Sequence, residues 1–449
     1  MSAWLFLLAW AATLADQLGG LRAAGGVAAV TVVLFLALEF PRQRRAIRVV
    51  SLGLVLAGLV AVAMATDPVA ALEAGWRRGA AYAAFFLALG CLRDVAERSA
   101  SVRASGAHLV GQPAGRRYLA VTGGAHLFGM ILSYGAIDLM GAMVARAGAG
   151  QESVRRLVMG AYRGFATMNC WSPLNIMTVV VAAAVPAADL RPVLPVAFAM
   201  AMVLLLAGAV VDRLEGGGSE AAAPVAGGWG IHLRIAGIVG LVMLLAEAVS
   251  VGFATSLATG VTAAVPVVGV GWTLGPLLRR RHAGAMALRR LRGFKARVPS
   301  FRGEAALLAC SGFLGVTLGM ALPEGGLAGF VPAGPAVLVA LGVPVVLIGT
   351  SLLGLNPIAV VAIIGAAVPD PAALGVAPAV LAFACMLGWG VAVGMTPFSA
   401  SALATARWTG VDPWVVTTRW NAGFTVVALV LSLLAIGAAH GGWLPGFSL

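Results

Sequence analysis

Apolar residues run along this chain in blocks of about 20, the length that crosses a bilayer, separated by short Arg-bearing connections. The pattern predicts spans near 3–21, 23–40, 49–66, 77–92, 158–185, 192–212, 233–251, 253–278, 304–322, 376–405 and 413–438. Two further blocks, 118–147 and 335–368, are long for one crossing and short for two. Each carries turn-forming residues at its middle, Ser133-Tyr134-Gly135 and Gly354-Leu355-Asn356-Pro357. They read as re-entrant hairpins that leave on the side they entered.

Within two of the spans a proline interrupts the apolar run. Trp171-Ser172-Pro173-Leu174-Asn175 and Met395-Thr396-Pro397-Phe398-Ser399 stand at matching places, 224 residues apart. Unwound backbone at membrane depth survives only where protein buries it or where it lines a cavity. Paired Pro-interrupted spans in the two halves therefore point to the binding site of a secondary transporter. The predicted organisation is an extra N-terminal span at 1–22, a first repeat at 23–212, a cytoplasmic linker at 213–232, a second repeat at 233–438 and an outside tail at 439–449. Each repeat holds three spans, a hairpin, a broken span and a final span. Five crossings is an odd number, so the second copy is inverted. The fold class is an all-α polytopic membrane protein of about 11 spans and two re-entrant hairpins.

Composition agrees: 61% of residues are hydrophobic and 10% charged, and mean hydropathy is +0.98. A net charge of +13 could suggest nucleic acid, but the basic residues lie in the short connections. With the N-terminus cytoplasmic and both hairpins re-entrant, 24 basic residues fall inside and 4 outside, as positive-inside bias requires. Counting the first hairpin as a single crossing moves the nine basic residues of 279–304 outside. This places the C-terminus outside, and the Arg-rich, Lys-poor composition suggests a bacterial inner membrane. The run 93–117 reads as an interfacial helix followed by a loop. Cys91, Cys170, Cys310 and Cys385 show no CxxC spacing, and no cofactor is implied beyond Na+ as a possible coupling ion. Sequences typical of ATP loops, H-E-x-x-H or G-x-S-x-G do not occur, so an enzyme is not expected.

The side chains offered at the breaks and hairpins are Ser133, Ser172, Asn175, Thr350, Ser351, Asn356, Thr396 and Ser399. These neutral hydroxyls and amides hydrogen-bond an anion or contribute to a cation shell, with Na+ considered near Ser133, Asn175, Asn356 and Ser399. Half-helix N-termini suit an anion, and unwound carbonyls suit Na+. The alternative use of each hydroxyl is to satisfy its own helix. Asp138 reads either as a proton carrier or as the ion-pair partner of Arg146 or another hairpin neighbour. His126 reads as a packing residue or a proton relay. Arg163 and Arg419 read as anchors at helix ends, and Glu247 as a group reaching the interface.

This order of elements resembles the ion-transporter superfamily, and particularly its divalent anion–sodium symporters for dicarboxylates and citrate. Ser172-Pro173-Leu174-Asn175 and, more loosely, Thr396-Pro397-Phe398-Ser399 are similar to that family's Ser-Pro-Pro-Asn-like and Thr-Pro-Pro-Asn-like linkers. The family's Ser-Asn-Thr hairpin tips are replaced here by Leu132-Ser133-Tyr134-Gly135 and Leu355-Asn356-Pro357-Ile358. The resemblance implies a homodimer in the lipid bilayer, working by an elevator-type alternating-access movement. The expected function is secondary transport of small organic anions coupled to Na+ or H+. An efflux carrier for arsenite or another metabolite is the alternative.

Overall fold

A computed structural model describes residues 2–147, 150–215, 228–275, 283–323 and 335–447. Nineteen α-helices and no strand occur among the described residues. In chain order they begin α1 (Ser2–Gly19), α2 (Arg22–Glu39), α3 (Arg45–Met64), α4 (Pro68–Glu97), α5 (Ala100–Val110) and α6 (Ala114–Leu132). Next come α7 (Gly135–Arg146), α8 (Gln151–Met168), α9 (Ile176–Ala184), α10 (Leu190–Leu214), α11 (Gly230–Gly252) and α12 (Leu257–Leu274). The remainder are α13 (Ala283–Arg297), α14 (Arg302–Ala321), α15 (Val337–Leu352), α16 (Pro357–Ala367), α17 (Pro378–Val393), α18 (Ala400–Thr409) and α19 (Ala422–His440). Eight helical stretches among the described residues are long and apolar enough to cross a membrane. They correspond to eight of the eleven expected spans. Two others are the interrupted ones, α8–α9 and α17–α18, and α1 is long enough but less apolar, with Asp16 and Gln17 near its end. The chain is a multi-pass, all-helical membrane protein.

Several boundaries differ from expectation. The first broken span begins at Gln151, not 158, because its polar first turns are still helical and carry Glu152 near the positive helix end. The 93–117 stretch is helical almost throughout, so the first hairpin arm starts at Ala114. Of the linker at 213–232, α10 takes 213–214 and α11 takes 230–232, while 216–227 lies outside the described residues.

The chain divides into two compact units, each drawing on both halves. One comprises Met1–Ala96, Ile238–Val331 and Ala362–Pro369. Its helices pack in close pairs: α1 on α2 with Phe6 and Phe35 stacked at 4.5 Å, and α3 on α14. Small residues permit this where no hydrophobic drive separates helix from lipid. A methyl built on Gly79 of α4 lies 2.6 Å from the Ala309 carbonyl of α14, so those backbones nearly touch. Glu247 is half-buried on α11 in this unit.

The other unit comprises Glu97–Gly237, Pro332–Val361 and Asp370–Leu449. Here α6 packs along α8, and α15 along α17. A glycine eight residues ahead of each break residue, Gly164 before Ser172 and Gly388 before Thr396, makes both contacts possible. A methyl on Gly164 overlaps the Thr122 carbonyl of α6, and one on Gly388 lies 2.9 Å from the Pro344 backbone of α15. The same device thus seats a hairpin arm on a broken helix twice.

Candidate functional site

Both proline breaks lie in the second unit and are built alike. After α8 ends at Met168, the N–H groups of Asn169 to Ser172 turn back onto the last helical carbonyls. Pro173 has no N–H and cannot continue the helix. The Ser172 hydroxyl accepts from Leu174 N–H at 3.3 Å, and Asn175 Oδ1 caps α9 by accepting from Met177 N–H at 2.9 Å. In the second break the Thr396 hydroxyl accepts from Phe398 N–H at 3.3 Å, and Ser399 Oγ caps α18 by accepting from Ala402 N–H at 3.1 Å. Ser172 and Thr396, Leu174 and Phe398, and Asn175 and Ser399 are each 224 positions apart. A hydroxyl before the proline and a cap two residues after it are the common local solution.

The breaks also meet. A methyl on Gly390 of α17 overlaps the Cys170 sulfur and lies 3.1 Å from the Ala166 carbonyl. One on Gly394 lies 3.5 Å from the Ala166 Cβ. Ala166 and Gly390 are 224 positions apart, as are Cys170 and Gly394. So the contact of Cys170 with Gly390 and that of Ala166 with Gly394 are exchanged by the repeat. Reciprocal contacts of this kind are the mark of a two-fold relation, here internal to one chain. The two broken helices cross at their own symmetry point.

The second hairpin tip joins this assembly. Thr396 Oγ1 donates to the Ser351 carbonyl at 2.9 Å, and a Cβ on Gly354 would touch the Phe398 ring at 3.6 Å. That tip is a Schellman turn: Gly354 has φ +87°, Leu355 N–H reaches Thr350 O and Gly354 N–H reaches Ser351 O. Asn356 Oδ1 accepts from Ile358 N–H at 2.9 Å, with Pro357 opening α16. The Ser351 hydroxyl is buried and has no hydrogen-bond partner among the described residues. Unmet buried polar atoms of this kind cost about 1–3 kcal/mol, so a ligand that satisfied Ser351 would be stabilised by it.

Other expected site residues are placed differently. Thr350 donates to Val346 O at 2.6 Å, so its hydroxyl serves its own helix. Ser133 closes α6 at φ 54°, an unusual backbone for a non-glycine residue, and has no side-chain hydrogen bond among the described residues. Asp138 faces neither Arg146 nor a break: it accepts from Arg407 Nη2 at 2.9 Å and Trp408 Nε1 at 3.0 Å, both on α18. Its side chain is 37% exposed. His126 is buried and bonded on both sides. Trp171 Nε1 donates to its Nε2 at 2.9 Å, and Nδ1 pairs with Thr167 Oγ1 at 3.2 Å, whose hydroxyl donates to Gly164 O. That chain of roles assigns the neutral Nδ1–H tautomer, which ties the hairpin arm to the first break.

Arg163 and Asn421 emerge as a polar hub. Arg163 is 2% exposed; its Nε donates to Asn421 Oδ1 at 3.0 Å, and its Nη atoms reach Tyr118 OH, Trp420 O and Glu215 Oε2. Asn421 Nδ2 donates in turn to Gly394 O at 2.8 Å, at the second break. A π-helical turn, Val415–Trp420, precedes Asn421, whose own N–H bonds Val416 O five residues back. Arg163 is therefore an internal brace and not an end anchor, while Arg419 is exposed. No lysine, arginine or carboxylate lies within 169–175 or 394–399. The breaks offer hydroxyls, amides, helix ends, the Cys170 thiol and the Trp171 indole N–H, and no charged side chain.

No family model matches the chain, and no curated protein matches it. Among solved structures it is similar to the Alcanivorax borkumensis YdaH transporter, described as having an unusual topology. Identity is 16% and the TM-score 0.54, over 80% of this chain and 85% of that one. The likeness establishes the fold.

Proposed function

We propose that the protein is a secondary active transporter of small organic anions, with mono- or dicarboxylates as the substrate class and Na+ or H+ as the coupling ion. The observation that carries this reading is the reciprocal crossing of two Pro-broken helices, with the second hairpin tip laid against one of them. A static scaffold gains nothing from interrupting two helices where they cross; a carrier gains a mid-membrane site of half-helix ends. A solved transporter of the same fold supports the class. The anion would be held by the α9 and α18 N-terminal regions and by Ser172, Asn175, Thr396 and Ser399, with Ser351 adding an unmet hydroxyl. Asp138, paired with Arg407, and His126, bonded on both nitrogens, are poor proton carriers, so their geometry favours Na+.

Both breaks, the first hairpin and the second hairpin as far as Val361 share one compact unit, which supports an elevator-type movement of that unit in a homodimer. The distribution of basic residues supports a cytoplasmic N-terminus, and the Arg-rich, Lys-poor composition supports a bacterial inner membrane. The break motifs and element order support kinship with the divalent anion–sodium symporters. A panel of mono- and dicarboxylates tested by thermal shift, with and without sodium at two pH values, decides the matter. Any ligand of the native state raises the melting temperature by mass action. At least one carboxylate is expected to do so with sodium dependence; no shift from any carboxylate in all four conditions overturns the proposal.

A further inference from the structure

A second polar cluster in the same unit is separate from the breaks. The Ser105 hydroxyl lies 2.6 Å from His232 Nδ1, His232 Nε2 lies 2.8 Å from His108 Nδ1, and His108 Nε2 lies 3.2 Å from Gln112 Nε2. Trp229 stands edge-on to His108 at 5.4 Å and tilted against His232 at 5.2 Å. Ser105 and His108 are buried on α5; His232 is in the first turn of α11, where the chain resumes after the inter-repeat segment.

The donor roles follow from one end. An amide nitrogen only donates, so Gln112 Nε2 makes His108 Nε2 an acceptor and leaves the His108 proton on Nδ1. That proton points at His232 Nε2, whose own proton then sits on Nδ1 and points at Ser105 Oγ. Every ring nitrogen is used, and both rings are neutral. A proton added to either ring removes an acceptor and sets two N–H donors against each other. The surrounding charges have other partners: Arg103 of α5 donates to Glu97 O, Arg117 of α6 to Gln112 O, and Asp138 of α7 accepts from Arg407. Arg234 of α11 and Arg146 of α7 are exposed, Glu97 closes α4 and Arg98 stands in the turn after it.

We infer that His108 and His232 form a proton-binding clasp that fastens the start of the second repeat to α5 and opens when the pair takes up a proton. The inference is independent of what the breaks carry. The sign follows from linkage: the closed clasp holds fewer protons than the open one, so closure is complete above the ordinary imidazole range near pH ~6.5 and is lost below it. Each proton taken up on opening changes the closed-to-open ratio about tenfold per pH unit.

Hydrogen exchange across 228–236 in detergent-solubilised full-length protein tests this, corrected for intrinsic rate. Protection is expected to fall at least tenfold between pH 8 and pH 5.5 in wild type. In His232→Ala it should be low and free of a pH step. Fluorescence gives a second readout, since an imidazolium quenches an adjacent indole: the wild-type minus Trp229→Phe difference should dim over the same range. Unchanged wild-type protection between the two pH values, or a step that persists in His232→Ala, overturns the clasp.

Discussion

Gly390→Ala places one methyl group where the two broken helices cross. The new Cβ overlaps the Cys170 sulfur and lies 3.1 Å from the Ala166 carbonyl and 3.3 Å from the Cys170 nitrogen. Overpacking of this sort costs about 1–3 kcal/mol, offset by up to about 1 kcal/mol of helix propensity. The net expectation is a loss of about 1–2 kcal/mol. Cys170→Ala alone removes a buried sulfur and should cost about 1 kcal/mol, the value of one buried methylene-sized group. The double variant removes the overlapping atom, so the two losses should not add. A coupling of about 1–2 kcal/mol is expected, within the range found for residues in contact. Gly123→Ala on α6 controls for propensity, because a Cβ there meets nothing within 4 Å. The assay is reversible unfolding in mixed detergent–SDS micelles, followed by tryptophan fluorescence and circular dichroism. Additivity of the two substitutions within about 0.5 kcal/mol would refute the crossing.

Further outcomes follow from other contacts. Arg163→Ala leaves the buried Asn421 Oδ1 without its donor, while the exposed Glu215 is rehydrated, and should cost about 1–3 kcal/mol in the same assay, with Arg163→Lys failing to restore the fork of contacts; a loss under 1 kcal/mol contradicts the hub. Asp138→Asn weakens a pair whose side chains are 66% and 37% exposed, so stability should change by less than about 1 kcal/mol; a change beyond 2 kcal/mol would mean the carboxylate does more than pair with Arg407. Gly354→Ala puts a side chain at φ +87° and should cost about 1 kcal/mol, whereas Gly349→Ala, in open helix, should be neutral or stabilising.

The breaks were legible in the sequence because their chemistry is local. Ser172-Pro173 and Thr396-Pro397 each end a helix and supply the hydroxyl that turns the chain, and Asn175 and Ser399 restart it. Gly354 and Asn356 announced the second turn for the same reason. Partners across long separations were not legible. Asp138 pairs with Arg407, 269 positions away, because α7 lies along α18, and nothing near Asp138 says so. Arg163 looks like a helix-end anchor in the sequence because its acceptors, Tyr118 on α6, Glu215 just after α10, and Trp420 and Asn421 before α19, are 45 or more positions away. Asn421 carries no signal in the sequence: a π-turn sets its orientation, and hydrophobic periodicity does not register one inserted residue. The helix start at Gln151 is not legible because an apolar run marks depth in the membrane and not the end of hydrogen bonding. The register at Cys170 and Gly390 needed coordinates, although the spacing of 224 that explains it was present in the sequence.

The most direct test of the central claim is gradient-driven uptake. Purified protein in liposomes is given a radiolabelled carboxylate, chosen in turn from a mono- and dicarboxylate panel, under an imposed sodium or proton gradient. The account predicts accumulation of at least one carboxylate above its outside concentration, abolished when an ionophore collapses the gradient and reduced when Ser351 and Thr396 are replaced by Ala and Val. Uptake no greater than in protein-free liposomes, for every carboxylate under both gradients, would contradict it.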